Sequence, residues 1–225
     1  MLNIVSFRAL IVAAAVLTLL LAAARIGPET RALSEAGQDQ AFIVLRAASS
    51  EPSLTEAGAV LTQVRQLSDC DDLLASSYVR VSGQQTVENL SRACARNAKA
   101  ALNSSPTLSI AHLVQARAAF NLKDFERAGV HFEASYQTAR IEGWLAARRV
   151  RLLLDAGLTG TLRVPEETAY SDVLTVLADN RYHSLLAQLY IRFPQHQEWL
   201  QGALQKGSAQ HQRRLTAHVK SLLQD

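Results

Sequence analysis

Apolar residues recur along most of the chain three and four positions apart, which is the spacing of one face of an α-helix. Ser, Asp, Gly and Pro interrupt this pattern at short intervals, as they do at the ends of helices. No stretch alternates β-branched and polar residues as a strand would. The pattern predicts an all-α protein whose helices are joined by short turns.

Capping and turn residues place the helices of the main domain. Ser53 with Glu56 three residues later has the arrangement of a capping box, and Pro165 suits the first position of a helix. A loop is expected at 158–164. The predicted helices cover about residues 53–67, 70–82, 86–103, 109–122, 124–142, 143–157, 165–178, 182–192, 196–205 and 208–223. Helices of this length with short connections favour antiparallel hairpins that stack side by side.

The first 26 residues form a separate apolar segment. Residues 9–24, ALIVAAAVLTLLLAAA, are uncharged, and apolar residues before them bring the stretch close to the roughly 20 residues that span a bilayer. A retained single-pass anchor is one interpretation. A cleaved signal peptide is the other, because Ala22, Ala23 and Ala24 supply the small residues that precede a cleavage site. The long apolar run and the weakly basic start favour the anchor.

We therefore divide the chain into a transmembrane anchor or signal peptide at 1–26, a juxtamembrane linker at 27–50 and a helical domain at 51–225. Arg8 and Arg25 lie on opposite sides of the apolar run, so the basic residues do not fix the orientation. The segment before the run is very short, which favours export of the long C-terminal part. We expect a single-pass protein of the inner (cell) membrane whose domain is periplasmic or otherwise extracytoplasmic.

Small and aromatic residues recur at regular positions in the middle of the chain. Ala128, Phe132 and Tyr136 lie four residues apart on one face of a predicted helix, and Phe125 stands at the start of that helix. Ala116, on the preceding helix, offers a matching small surface. These positions predict a close contact between the two helices.

A similar arrangement lies one period earlier, since Cys94 precedes Ala128 by 34 residues and is followed by Ala98 and Pro106. A 34-residue period with small and aromatic residues on the second helix and a closing Pro resembles the tetratricopeptide repeat (TPR) family. The best unit is 109–142, with Ala116, Phe125, Ala128 and Phe132 at signature positions. The unit departs from the family pattern at His112, Gln115, Ala119 and Arg140. The resemblance implies a short TPR-like α-solenoid.

In this family the first helices of the hairpins line a concave groove that binds partners. The resemblance carries that role to six residues: Ile110, Leu113, Val114, Arg117, Phe120 and Asn121. Arg117 is the only one of them that can pair with an acidic group. A groove of this composition favours an amphipathic helix or an apolar extended segment as its ligand. Core packing is the alternative interpretation of the large apolar members.

The two cysteines are an even number in a chain that we expect to be exported. If the helices predicted on either side of Gly83 run antiparallel, Cys94 lies within about one helical turn of Cys70. A disulfide between Cys70 and Cys94 is then feasible. Two separate buried thiols are the alternative.

Composition and charge exclude several classes of function. The formal net charge of +3 and the scattered basic residues do not form the dense patch that nucleic acid requires, so we expect no nucleic-acid partner. The six His are not clustered at ligand spacing, and no phosphate-binding or nucleophile motif occurs. We therefore expect no metal, no cofactor and no enzymatic activity. Arg140, Arg148, Arg149 and Arg151 form the most basic patch, which is interpreted as a solvated face with an Arg151–Asp155 pair. A site for an anionic polymer or lipid headgroup is the alternative.

The predicted function is that of a non-catalytic, membrane-tethered TPR-like scaffold or adaptor. Its partner would be another protein of the cell envelope, in division, secretion or surface-polysaccharide assembly, and residues 9–24 would hold it in the membrane. The first alternative is an exported soluble helical domain that binds a small molecule or glycan in its concave face. The second is an enzyme with an unfamiliar helical active site, which would need a perturbed ionisable pair in a cleft.

Overall fold

The computed structural model describes residues 4–35 and 40–224. Helices are the only regular secondary structure over these residues, which confirms the all-α prediction. The first helices are α1 (Ile4–Glu35), α2 (Gln40–Ser49), α3 (Val60–Leu74), α4 (Ser77–Val81) and α5 (Gln84–Ser104). The central ones are α6 (Ser109–Asn121), α7 (Phe125–Thr138), α8 (Gly143–Asp155) and α9 (Thr159–Leu162). The last ones are α10 (Glu166–Ala178), α11 (His183–Arg192), α12 (Gln197–Gln205) and α13 (Ala209–Leu222).

Side-chain caps fix the starts of three helices. The oxygens of Ser76, Asp124 and Ser208 each accept a hydrogen bond from the backbone N–H three residues later, at 3.4, 3.1 and 3.3 Å. These bonds satisfy N–H groups that have no partner inside the helix. Lys123, with φ of 62°, makes the tight turn between α6 and α7.

The segment before α3 differs from the prediction. Residues 51–59 are not helical, and α3 begins at Val60 and passes through Ser68 and Asp69 without a break. We call residues 51–59 the strap, because it lies along α3. The side-chain amide of Gln63 donates to Ala57 O (2.9 Å), and that of Gln66 donates to Thr55 O (2.9 Å). The expected loop at 158–164 is also partly helical, since it contains α9.

The interior consists of two apolar clusters that meet at α8. The first cluster is built around α6, which packs against α3, α5 and α7, and the second joins α8 to α10, α11, α12 and α13. Leu145, Leu152 and Leu153 of α8 belong to the first cluster. Val150 and Leu154 belong to the second. Because α8 is buried on both sides, it ties the two halves of the domain together.

The α6–α7 hairpin is closely packed at the residues that carry the TPR resemblance. Ala116, Ala128 and Phe132 are completely buried, and a small side chain at the first two lets the helices approach. Phe125 is 40% exposed, and its ring lies 6.0 Å from that of Phe120. The hairpin is thus observed, while the stacking of further hairpins as a TPR solenoid remains a prediction.

The helix α1 is long and apolar enough over Ile11–Ala32 to cross a membrane, a property that it shares with signal sequences. Residues 11–24 of this helix are exposed on all sides, with Leu17 at 59%, Leu19 at 70% and Leu20 at 63%. Its C-terminal turns contact the domain through α3 and through the backbone of Ala59. Part of the predicted linker at 27–50 is therefore a continuation of this helix, and another part forms α2.

Candidate functional site

The six residues predicted to line a groove do not form an open surface. Ile110, Leu113, Val114 and Arg117 are each at most 1% exposed, and Phe120 and Asn121 are half-buried. The cause is the central position of α6, which packs against α3, α5, α7 and α8. The structure therefore has no open groove at these four residues of α6, contrary to the prediction. Core packing accounts for their burial.

Arg117 is the centre of a buried ionic network. Its Nε donates to Asp71 Oδ1 at 2.5 Å, its Nη1 donates to Asp155 Oδ2 at 3.1 Å, and its Nη2 donates to the carbonyl of Arg148 at 3.4 Å. Arg117 and Asp71 are 1% and 2% exposed. A buried guanidinium requires such partners because its desolvation is costly. Arg117 is therefore occupied inside the protein, where it cannot meet an acidic ligand.

The network continues to the surface through Arg148. The Nη1 and Nη2 atoms of Arg148 form a bidentate pair with Asp72 at 2.8 Å each, and Nη1 also lies 2.9 Å from Asp71 Oδ2. Asp155 receives a second ion pair from Arg80, at 3.3 Å. These contacts join α3, α4, α6 and α8. Asp71 and Asp72, which follow Cys70 in α3, are thus both paired with arginines.

The neighbouring arginines change the pKa of Asp71. Burial by itself raises the pKa of this carboxyl, but the positive charges of Arg117 and Arg148 outweigh burial and hold the pKa below its ordinary value. Asp71 thus serves as the negatively charged partner of two arginines within the fold. A proton donor or acceptor in catalysis would instead need a pKa near the working pH.

Arg149 forms a second network inside the other half of the domain. Its Nε and Nη2 donate to the two carboxylate oxygens of Asp172 at 2.8 and 2.7 Å, and both side chains are fully buried. Nη1 and Nη2 also donate to the carbonyls of Ser135 and Ala139, at 3.2 and 3.1 Å. Burial raises the pKa of Asp172 to about 6 despite the contacts with Arg149. This network fastens α8 to α7 and α10.

The basic stretch of α8 is therefore not the solvated face that its sequence suggested. Arg149 is buried, Arg148 is paired with Asp71 and Asp72, and Arg151 donates to Ala75 O at 2.5 Å instead of pairing with Asp155. Arg140, which precedes α8, is the one of these four arginines that is exposed. One signal in the sequence pointed this way, because Arg117 and Arg149 each occupy a position among apolar residues of a predicted helix. A charge at such a position needs a buried carboxylate, although the sequence does not say which one.

The cysteines are joined by a disulfide between α3 and α5, with their Cα atoms 5.8 Å apart. A cavity of about 50 Å³ lies beside it, lined mainly by apolar side chains that include Ile43, Leu73 and Leu90. Ligand sites usually have volumes of about 300 Å³ or more. The cavity is too small for a glycan.

Histidines meet in two places. His112 donates through Nε2 to Pro106 O (3.0 Å), which leaves its Nδ1 to accept from Nδ1 of His131 at 3.3 Å. In the second place, His211 and His218 of α13 lie edge-on to the buried ring of His183, with centroids 6.1 and 5.9 Å away. Within residues 4–35 and 40–224 no group of three or more His, Cys, Asp or Glu is arranged to hold a metal ion.

One groove on the surface combines an apolar floor with polar side chains. We call it the C-terminal groove; it has a volume of about 280 Å³ and lies between α11, α12 and α13. Its apolar floor is formed by Leu204, Leu215 and Val219. Polar side chains surround that floor: Tyr190, Gln201, Gln205, Gln212 and Thr216. Side-chain amides beside an apolar floor can bond the backbone of a docked segment while its apolar side chains fill the groove.

Comparison with known proteins gives no further constraint. No family model, no curated protein and no solved structure matches this chain.

Proposed function

We propose that the protein is a non-catalytic, membrane-tethered scaffold that holds another protein of the cell envelope from the outer side of the inner membrane. The proposal depends on the exposure of the apolar helix α1. Residues 11–24 of this helix are exposed around its whole circumference, and apolar helices of this kind are stable when lipid surrounds them. A soluble core helix would instead bury at least one face.

The arrangement of the domain supports a scaffold. The strongly buried charges, at Asp71, Arg117, Arg149 and Asp172, are all used in ion pairs between helices. These ion pairs join α3 to α6 and α8 to α10, and we propose that the helices form a short TPR-like solenoid whose clearest unit is the α6–α7 hairpin. A rigid helical stack can present a fixed surface to a partner.

We place the partner at the C-terminal groove. The groove predicted along α6 is filled, whereas this one is open and combines an apolar floor with amide side chains. Its composition suits one face of an amphipathic helix or a short apolar extended segment of another protein. The expected ligand is therefore the one inferred from the sequence, an amphipathic helix or an apolar extended segment. Its proposed site lies on another surface of the domain.

The groove is tested by blocking it with Thr216→Arg. Thr216 is exposed at its edge, and its hydroxyl bonds only the carbonyl four residues earlier, at 2.9 Å, so the long side chain enters the groove without disturbing the core. Thr138→Arg is the control, because Thr138 is exposed on α7 and its hydroxyl likewise bonds the carbonyl four residues earlier, at 2.8 Å, with a second bond to Ser135 O at 3.3 Å. The full-length chain is expressed in cells with a photocrosslinking residue at Gln205, and the crosslinked products are identified by mass spectrometry.

We expect a crosslinked envelope protein with the wild type and with Thr138→Arg, and its loss with Thr216→Arg. Persistence of the same product with Thr216→Arg would exclude the groove. The membrane anchor is tested in the same cells, because the retained chain resists alkaline extraction and yields peptides from residues 1–24. A soluble protein with Arg25 at its N-terminus would instead support the exported soluble alternative.

A further inference from the structure

The contacts between α1 and α3 determine which end of the domain faces the membrane. Glu29 of α1 accepts hydrogen bonds from the backbone N–H groups of Gly58 and Ala59, at 2.5 and 2.6 Å. One turn further along α1, the carbonyl of Ala32 accepts from the side-chain amide of Gln66 at 3.4 Å. Both helices therefore run in the same direction through this contact, and the start of α3 is its membrane-proximal end.

The strap runs in the opposite direction. Its Thr55 is bonded to Gln66, and its Ala57, two residues later, is bonded to Gln63, which lies closer to the start of α3. The chain thus descends along the strap toward the membrane, reverses at Gly58 and Ala59, and ascends as α3. We call residues 58–61 the tip, since they form the turning point.

The tip is apolar and exposed. Its sequence is Gly-Ala-Val-Leu, and all four residues are exposed, with Val60 at 51% and Leu61 at 84%. Single exposed apolar residues are common on soluble proteins, but four in succession at a turning point call for a partner surface. Arg31 of α1 and Arg65 of α3 are exposed on the neighbouring turns, where they suit lipid phosphate groups.

The length of α1 places the tip at the level of the lipid headgroups. The uncharged run ends at Ala24, and Glu29 lies five residues further on, which is about 7.5 Å along a helix. The headgroup layer is roughly 5 to 8 Å thick on each side of the hydrocarbon core. When Ala24 lies at the edge of the hydrocarbon, the carboxylate of Glu29 and the tip bound to it lie within or at the outer edge of that layer.

We infer that the tip, residues 58–61, inserts into the headgroup region of the bilayer beside α1 and seats the domain on the membrane. The occupant of this apolar surface is the lipid bilayer that holds α1. The inference rests on the proposed membrane anchor and deepens it, because the domain then has a fixed height and orientation above the lipid. A domain on a flexible tether would have neither.

The test measures the depth of a tryptophan placed at the tip. The full-length chain carrying Leu61→Trp is reconstituted into phosphatidylcholine vesicles whose acyl chains are brominated close to the headgroup, where bromine quenches nearby tryptophan. Val81→Trp is the matched control, because Val81 is 84% exposed, like Leu61. Val81 follows the far end of α3 and therefore lies about 20 Å from the tip. Wild-type protein supplies the emission of Trp144 and Trp199.

We expect the brominated lipid to remove most of the emission added by Leu61→Trp and little of that added by Val81→Trp. Equal quenching of the two variants in vesicles that carry the protein overturns the seated tip and leaves the anchor intact. A blue-shifted but unquenched tryptophan at position 61 also overturns it, because protein rather than lipid would then cover the tip. Flotation of the vesicles reports the anchor separately, and a chain that does not float refutes both the anchor and the seated tip.

Discussion

Arg117 and Asp71, 46 positions apart in the sequence, form an ion pair of 2.5 Å at which both side chains are almost completely buried. This pair connects α6 to α3, and Asp155 and Arg148 extend it to α8. It stands where a partner-binding position was predicted. The function of Arg117 is therefore to fasten the helices around α6.

Arg117→Ala should destabilise the domain by about 3–5 kcal/mol, because it leaves Asp71 buried with only Arg148 as its cationic partner. Urea unfolding followed by circular dichroism measures the change. Arg65→Ala is the control, since Arg65 is 65% exposed and its pair with Asp69 is worth less than about 1 kcal/mol. Equal stability of the two variants would show that Arg117 is solvated and available to a ligand.

The pair of Arg149 and Asp172 predicts a dependence of stability on pH. The pKa of Asp172 is raised by burial from 3.8 to about 6, so between these values the folded protein binds more protons than the unfolded chain. The free energy of unfolding should therefore fall as the pH rises from about 4 to about 6. The contribution of this single group is on the order of 2–3 kcal/mol.

Asp172→Asn isolates this contribution, because asparagine does not titrate. Urea unfolding at a series of pH values measures the unfolding free energies of the variant and the wild type. As the pH rises from about 4 to about 6, the free energy of the variant should increase relative to that of the wild type. A shift in the opposite direction would mean that Arg149 lowers the pKa of Asp172 below its ordinary value.

Gly129 allows α9 to pack against α7. A Cβ atom at this position would lie 2.1 Å from the carbonyl oxygen of Leu162, a backbone atom that cannot move aside like a side chain. Gly129→Ala should therefore cost about 1–3 kcal/mol. Gly160→Ala is the matched control in α9 itself, where a Cβ meets nothing within 4 Å and the change should be neutral or slightly stabilising. Thermal melting that is the same for both variants would contradict the contact between α7 and α9.

The disulfide predicts a stability that depends on oxidation. Cys70 and Cys94 are 24 positions apart, and a loop of that length gives a stabilisation of about 3 kcal/mol through the unfolded chain. The double variant Cys70→Ala with Cys94→Ala should lose this amount. Dithiothreitol should lower the melting temperature of the wild type and leave that of the variant unchanged. The same response of both proteins would show that the thiols are not joined.

Sequence patterns alone predict the helical class, the separate apolar helix α1, and the α6–α7 hairpin with its small residues at Ala116 and Ala128. These features depend on spacing within a few turns, and helical periodicity and capping are local properties of the chain. The start of α3 was misplaced for the same reason. Ser53 and Glu56 have a local capping pattern, but the amides of Gln63 and Gln66 hold this segment along α3 as the strap.

Which faces of the helices are covered depends on how distant parts of the chain pack together. Arg117 and Arg149 stand on helices whose surroundings come from distant parts of the chain, and their carboxylate partners lie 46 and 23 positions away. The tip likewise emerged from the contact of Glu29 with Gly58 and Ala59. A helix sequence specifies its own faces, but burial and ion pairing depend on which other helices pack against them, and that is a property of the whole fold.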